Sequence, residues 1–266
     1  MSALLRDHLS QPLQGDTLAK NKTAAKFSQA VTNYALHANV QKRAANELFK
    51  KINPQHTLTC IDLGAGPGVN LVKLNKHFDY VLPFDLSIAM LKQSNAGKTA
   101  ICGDMDALPF QSSSVDALFS NFAVQWSANL GYLLNEVMRI LKPGGRVYLS
   151  CVCDGSLNEI KTAFSAVDNQ THVNEFHSFE QINQFVENTG FIIKNAELKC
   201  YQDVYPSPLH ALRSIKAIGA THLHSQNKRQ GLLTKSALKK VCEQYPLIAN
   251  QVVVSYQVGL LSLQKE

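Results

Sequence analysis

Short apolar runs alternate with helix-patterned segments along most of the chain. LTCIDL (58–63), YVLPFD (80–85), TAICGD (99–104), VDALFSN (115–121) and RVYLSCV (146–152) are apolar at consecutive positions and rich in β-branched or aromatic residues. That pattern predicts strands buried on both faces, as in a parallel sheet. Between the last two runs, Leu130, Leu133, Leu134, Val137, Met138 and Leu141 recur at the spacing of one helix face, predicting a helix over Asn129–Leu141. Lys142-Pro143-Gly144-Gly145 ends it, since proline cannot continue the ladder and glycine supplies a turn. Strand and helix in alternation predict right-handed crossovers and a doubly wound α/β sheet, with ligands at the carboxyl ends of its strands.

The pattern changes after residue 154. FIIKNAELKCY (191–201) and QVVVSYQVGLLSL (251–263) read as two late strands, the second alternating enough to be an antiparallel addition. The count reaches seven strands, mostly parallel, in a Rossmann-like arrangement. Residues 202–250 carry two helical stretches, about 207–218 and 234–245, around a polar loop from His222 to Gly231. The expected division is an amino-terminal helical cap (1–45), a Rossmann-like domain (46–201 with 251–266) and a helical lid (202–250).

Composition narrows the class. The 266 residues carry 26 Lys and Arg against 20 Asp and Glu, a formal charge of +6, and 45% are hydrophobic. One principal domain is expected, with a mild attraction for acidic partners. Cys60, Cys102, Cys151, Cys153, Cys200 and Cys242 form no CxxC pair and sit mostly in apolar runs, which reads as buried thiols in a reducing compartment. The start has no signal-like apolar stretch and no run approaches the length of a membrane span, so a cytoplasmic protein with no membrane partner is expected.

The strongest chemical signal is Asp62-Leu63-Gly64-Ala65-Gly66-Pro67-Gly68, a strand entering a glycine turn that lets backbone approach a ligand closely. Val69 stands where a dinucleotide fingerprint carries its third glycine. Asp85 ends the next strand, where an acid accepts ribose hydroxyls. With Gly103-Asp104 and LKPGG (141–145), these residues resemble the class I S-adenosylmethionine-dependent methyltransferases over about residues 45–153. The resemblance implies S-adenosyl-L-methionine as co-substrate and no metal. It also implies that Gly64, Ala65, Gly66 and Gly68 approach the methionine part and that Asp62 lies beside its amino group. Asp85 then holds the ribose, Leu86 packs on adenine, Asp104 bonds the adenine amino group and the Met105 N–H reads the ring. A turn or cap role is the other reading of each aspartate.

Three further stretches, KNKTAAKFSQAVTNYALHANVQ (20–41), SNFAVQWSANL (120–130) and IGATHLH (218–224), are similar to the malonyl-acyl-carrier-protein O-methyltransferases of biotin synthesis. That resemblance implies transfer of the methyl to the free carboxylate of a malonyl thioester held by an acyl carrier protein. A carboxylate with a pKa of about 4 is already ionised at neutral pH, so no residue is expected as general base. Catalysis reduces to alignment and desolvation. The residues expected at the acceptor are Arg213, His222, Trp126, Asn121 and Tyr34, with Asn121 and Gln41 also toward the cofactor. Arg213 either orients the carboxylate by a charge-assisted hydrogen bond or is a solvated lid residue. Lys20, Lys22, Lys26, Lys235, Lys239 and Lys240 are candidate docking charges, and a solvated helix face explains them equally well.

Other functions fit parts of the pattern. A methyltransferase for another small carboxylate or for a tRNA base shares the glycine turn, but the charge is spread too evenly for a nucleic-acid enzyme. A non-catalytic cofactor-binding scaffold is a second alternative. A metal enzyme lacks a third ligand beside His222 and His224.

Overall fold

The computed structural model describes residues 38–52, 58–94, 99–217 and 234–266. In chain order these form α1 (Asn39–Phe49), β1 (Thr59–Leu63), α2 (Leu71–Leu74), β2 (Tyr80–Asp85), α3 (Ile88–Gln93), β3 (Ile101–Cys102), β4 (Val115–Asn121), α4 (Leu130–Ile140), β5 (Leu141–Cys153), α5 (Asn158–Ser165), α6 (Phe179–Thr189), β6 (Ile192–Tyr205), α7 (Pro208–Ala217), α8 (Lys235–Glu243), β7 (Leu247–Ile248) and β8 (Gln251–Gln264). Single 3₁₀ turns at Met105–Ala107 and Val124–Trp126 follow β3 and β4.

One sheet runs β3-β2-β1-β4-β5-β8-β6. The pairs among β1 to β5 are parallel, and β8 lies antiparallel between β5 and β6. The order reverses between β1 and β4, which places the ligand crevice of a doubly wound sheet at the carboxyl ends of those two strands. Seven strands lie on this path, and β7 adds an eighth that pairs only with β8.

Two apolar clusters sandwich the sheet. One face buries α1, α5, α7 and α8 through Val40, Leu48, Ile160, Ala211 and Val241. The other buries α4 and α6 through Leu133, Val137, Ile182 and Val186. Helix α4 forms as its periodicity predicts: its leucine stripe is buried, and the Asn129 side chain accepts the Tyr132 N–H at 2.9 Å as its cap. Helix α6 opens with a reciprocal Ser178–Gln181 capping box and closes at Gly190 in the left-handed region.

Several boundaries differ from the sequence expectation. The cap boundary at 45 falls inside α1, because Ala45 and Leu48 are core residues that carry the helix to Phe49. Leu141 already pairs with Val115, so Pro143-Gly144-Gly145 is an irregularity within β5, where the register shifts. Strand β6 continues to Tyr205, held by its full-length pairing with β8, and β7 belongs to the sheet; both lie in the range expected for the lid. The helices expected at about 207–218 and 234–245 are α7 and α8. Among the described residues no helix is long and apolar enough to cross a membrane.

Candidate active site

The glycine turn is built by backbone strain that only glycine relieves cheaply. Gly64, Gly66 and Gly68 have φ of 72°, 55° and 74°. A Cβ on Gly64 would lie 2.2 Å from the Cβ of Ala123, so the turn after β1 packs directly on the turn after β4. On Gly66 a Cβ would meet nothing within 4 Å, so this peptide faces open space at the strand ends. The turn is anchored by the Gly64 and Ala65 N–H groups, which donate to the Phe84 carbonyl of β2 at 2.7 and 3.1 Å. The helix that follows the turn is only the single turn Leu71–Leu74. Close approach to a ligand therefore rests on the glycine peptides rather than on a long helix dipole.

Two carboxylates meet here. Asp85 accepts the Gly66 N–H at 2.8 Å on one oxygen and the Ser87 N–H at 2.7 Å on the other. Each oxygen keeps a lone pair for a ribose hydroxyl. Burial pushes the Asp85 carboxyl above its usual range, and the two N–H donors oppose that shift. Asp62 is 1% exposed, and its Oδ2 has no hydrogen-bond partner among the described residues. Burial first, then the charge of Asp85, raises its pKa to about 7. An orphaned buried carboxylate oxygen beside a glycine turn is a seat for a cation. The ammonium group of S-adenosylmethionine fits that chemistry.

At the next strand, Cys102 pairs with Asp85 and the Gly103 N–H donates to the Asp85 carbonyl at 3.0 Å, setting Asp104 and Met105 beside the same edge. Asp104 also caps the 3₁₀ turn by accepting the Asp106 N–H at 3.0 Å, so the turn role coexists with the ligand role expected of it. Leu86 is partly exposed between Asp85 and the α3 cap Ser87.

The end of β4, where the sequence places acceptor residues, lies beside the glycine turn. Asn121 is buried: its Nδ2 donates to the Gln41 carbonyl at 3.1 Å, and its Oδ1 accepts the Ser150 hydroxyl at 2.7 Å. Its amide thus ties α1 to β4 and β5, which differs from the open channel-lining contact expected of it. Gln41 is itself buried in α1. Phe122 follows with φ of 57°, held by its N–H donating to the Ser150 carbonyl and by Gln125, whose Nε2 donates to the Phe122 carbonyl at 2.9 Å. Strain of this kind at a strand end is characteristic of functional edges. Trp126 is partly exposed in the turn that follows.

Arg213 sits on α7 with its side chain exposed, while Leu212 and Ile215 pack on the core. Strand β6 delivers α7 to the carboxyl edge, since β6 runs parallel to β5 and overshoots it from Tyr201 to Tyr205. Tyr34, His222, Lys20, Lys22 and Lys26 lie outside the described residues. The sequence reading missed Ala123, Ser150, Ser87 and Phe84, which shape the turn from other strands; a Cβ on Gly103 would lie 2.7 Å from the Phe84 ring. Of the four only Ala123 lies in a stretch that carries the family resemblance, SNFAVQWSANL, and strand order brings all of them to the site.

A sheet of this order, with a glycine turn after its first strand and acids at or next to the ends of the first two, defines a class I methyltransferase. Residues 61–149 match a methyltransferase-domain family model. The fold is shared with geranyl diphosphate C-methyltransferase from Streptomyces coelicolor, solved with S-adenosyl-L-homocysteine, at a TM-score of 0.52 and 17% identity over 85% of this chain and 77% of that one. The malonyl-acyl-carrier-protein O-methyltransferase of Erwinia pyrifoliae is 33% identical over 253 residues, which is 94% of this chain and 95% of that protein. A bifunctional biotin-biosynthesis protein of Cellvibrio japonicus is 33% identical over 250 residues, 87% of this chain and 49% of that protein. The chain belongs to the malonyl-acyl-carrier-protein O-methyltransferase family.

Proposed function

We propose that this chain methylates the free carboxylate of a malonyl thioester carried by acyl carrier protein, giving a methyl ester for biotin synthesis in the cytoplasm. The near full-length match to malonyl-acyl-carrier-protein O-methyltransferases carries the reading. S-adenosylmethionine supplies an electrophilic methyl: the acceptor oxygen forms the new C–O bond as the C–S bond breaks, and the electron pair stays on sulfur. Asp62 receives the ammonium end, Asp85 the ribose hydroxyls, and Asp104 with the Met105 N–H the adenine, while Leu86 covers the ring. The peptides from Gly64 to Gly68 hold the methionine part close to the β4 turn.

The acceptor needs orientation rather than deprotonation. An ionised carboxylate is already nucleophilic, and exclusion of water strengthens its attack. Arg213 is the cation assigned to one carboxylate oxygen, leaving the other to attack. Trp126 is assigned to the acceptor path, the family resemblance assigns Tyr34 and His222 to the acceptor as well, and Asn121 with Gln41 fixes α1 against the end of β4.

A methyl-transfer assay offering malonyl-acyl carrier protein, malonyl-coenzyme A and free malonate tests the reading. Turnover of a malonyl thioester to its methyl ester is expected. Normal binding of S-adenosylhomocysteine with no turnover of any of the three acceptors sinks it in favour of a binding scaffold. Arg213→Ala is expected to raise KM and lower kcat for the thioester, and unchanged rates remove that residue from the site.

A further inference from the structure

The exposed surface of α5 and α8 carries a one-sided charge pattern that folding does not require. On α5, Lys161 is exposed, and the helix's only acid, Glu159, is turned inward, where its Oε2 accepts the Ser255 N–H at 3.1 Å. On α8, Lys235, Lys239 and Lys240 are exposed around a buried Val241. The one acid of α8, Glu243, lies 3.7 Å from Lys239, with both side chains more than half exposed. Lys235 and Lys239 stand one turn apart on the same helix and repel each other. Among the described residues, Lys161, Lys235 and Lys240 make no ion pair.

The two helices are neighbours. Ile160 and Ala163 of α5 share a core cluster with Val241 and with Tyr245, just past α8. The Tyr245 hydroxyl donates to the Val253 carbonyl at 2.7 Å, which pins the end of α8 to β8. Two residues on, β7 begins, and its Leu247 is 57% exposed. Leu247 lies directly across from Val252, which packs in the same cluster as Val241, so this side chain emerges on the α8 side of the sheet. The hairpin behind it is closed by Ala249 and Asn250, both in the left-handed region at φ of 49° and 61°. An exposed apolar side chain on a tight hairpin, on the same side of the sheet as two helices that expose four lysines, has the composition of a protein-docking patch.

Its place in the fold says what docks there. The Leu157 N–H, one residue before α5, donates to the Ser255 carbonyl at 2.7 Å, and Ser255 lies beyond the level at which β5 ends. The patch therefore opens on the carboxyl edge, where Asp85 and Asn121 end their strands. Across that edge come the cofactor residues on β1, β2 and β3, then the acceptor turn on β4, then β5 and β8 beneath the patch. A partner seated on α5 and α8 has the acceptor end of the site beside it and the cofactor beyond.

We propose that the exposed face of α5 and α8, with Lys161, Lys235, Lys239, Lys240 and Leu247, is the docking surface for an acidic carrier protein that presents its thioester-linked acyl group to the β4 edge. The proposal rests on the acceptor reading above and adds the surface that selects its carrier.

The test uses the full-length chain with two acceptors, malonyl-acyl carrier protein and malonyl-pantetheine, the second lacking both the protein and the charged nucleotide. In a quadruple variant, Lys161→Glu, Lys235→Glu, Lys239→Glu and Lys240→Glu, KM for the carrier-bound acceptor is expected to rise at least tenfold. Kinetics with malonyl-pantetheine should stay within about twofold, and Lys76→Glu, at the opposite edge of the sheet, should change neither. Leu247→Ala is expected to raise the carrier-bound KM severalfold, and added salt should raise it in the wild type but not in the quadruple variant. An unchanged KM for the carrier-bound acceptor overturns the docking surface while the proposed reaction stands. Equal loss with both acceptors also overturns it, because the lysines then act on the site and not on the carrier. If the wild type methylates neither acceptor, the proposed reaction fails, and direct titration of acyl carrier protein against both proteins decides the surface: weaker binding by the variant supports it, and equal binding or displacement by tRNA refutes it.

Discussion

Replacing Asp62 by asparagine separates two energies that the wild type combines. The Asp62 carboxyl has a pKa of about 7, against 3.8 for an unburied aspartate, through burial and then through repulsion by Asp85. An acid whose folded pKa is raised takes up a proton on folding, so its contribution to stability is full below about pH 3.8 and is lost as pH rises through about 7. At about 1.36 kcal/mol per pH unit, the whole loss is on the order of 4 kcal/mol, of which about 2 falls between pH 5 and pH 7. Asp62→Asn keeps the shape and cannot ionise. In urea denaturation without ligand, its stability relative to wild type should grow by about 3 kcal/mol from pH 5 to pH 8. Ligand binding should move the other way. An ammonium favours the ionised carboxylate, so wild-type affinity for S-adenosylhomocysteine in calorimetry should rise up to tenfold per pH unit between about pH 5.5 and 7 and then level. The variant should bind more weakly, with a flat profile across that range. A pH-independent stability difference, or parallel binding profiles for the two proteins, would refute the assignment of Asp62 as the buried anion that receives the ammonium.

Gly64→Ala forces a Cβ against Ala123 at a φ of 72°; about 1–2 kcal/mol of backbone strain and about 1–3 of overpacking are expected, read as a lower Tm with loss of cofactor binding. Asp85→Ala removes the acceptor for the Gly66 and Ser87 N–H groups, so calorimetry should show cofactor affinity reduced by tenfold or more, and an unchanged affinity would move the ribose elsewhere. Asn121→Ala leaves the Gln41 carbonyl and the Ser150 hydroxyl without this partner; a destabilisation of about 1–3 kcal/mol by chemical denaturation is expected, with slower methyl transfer because α1 loses its tie to β4. Leu133→Ala, on the opposite face of the sheet, should cost about 2–5 kcal/mol in stability yet leave KM unchanged under conditions where the variant is folded.

Much of the architecture was legible in the chain because its signals are local. Strands β2 and β4 span the apolar runs that announce them, since a strand buried on both faces has no polar positions to interrupt it. Helix α4 follows its leucine spacing, and β8 is antiparallel as its alternation predicts. The glycine turn and its acids were visible for the same reason: three closely spaced residues at positive φ favour glycine wherever the rest of the chain lies. Element ends were less legible. Pairing with β8 carries β6 to Tyr205 past the residues that look like a strand, and core contacts of Ala45 and Leu48 carry α1 through the expected boundary.

What the sequence by itself determined was the order of elements, the glycine turn with Asp62, Asp85 and Asp104 around it, and the family to which those motifs point. Only the tertiary structure decided that Ala123 closes on Gly64, that the Asn121 amide bonds to Gln41 and Ser150 within the core, and that one oxygen of Asp62 has no hydrogen-bond partner among the described residues. Likewise only the fold brings Lys161 beside the lysines of α8, more than seventy residues away. The physical reason is common to all four. Conformational preference is a property of neighbours along the chain, whereas burial, desolvation and charge complementarity depend on groups that meet only when the sheet has ordered its strands.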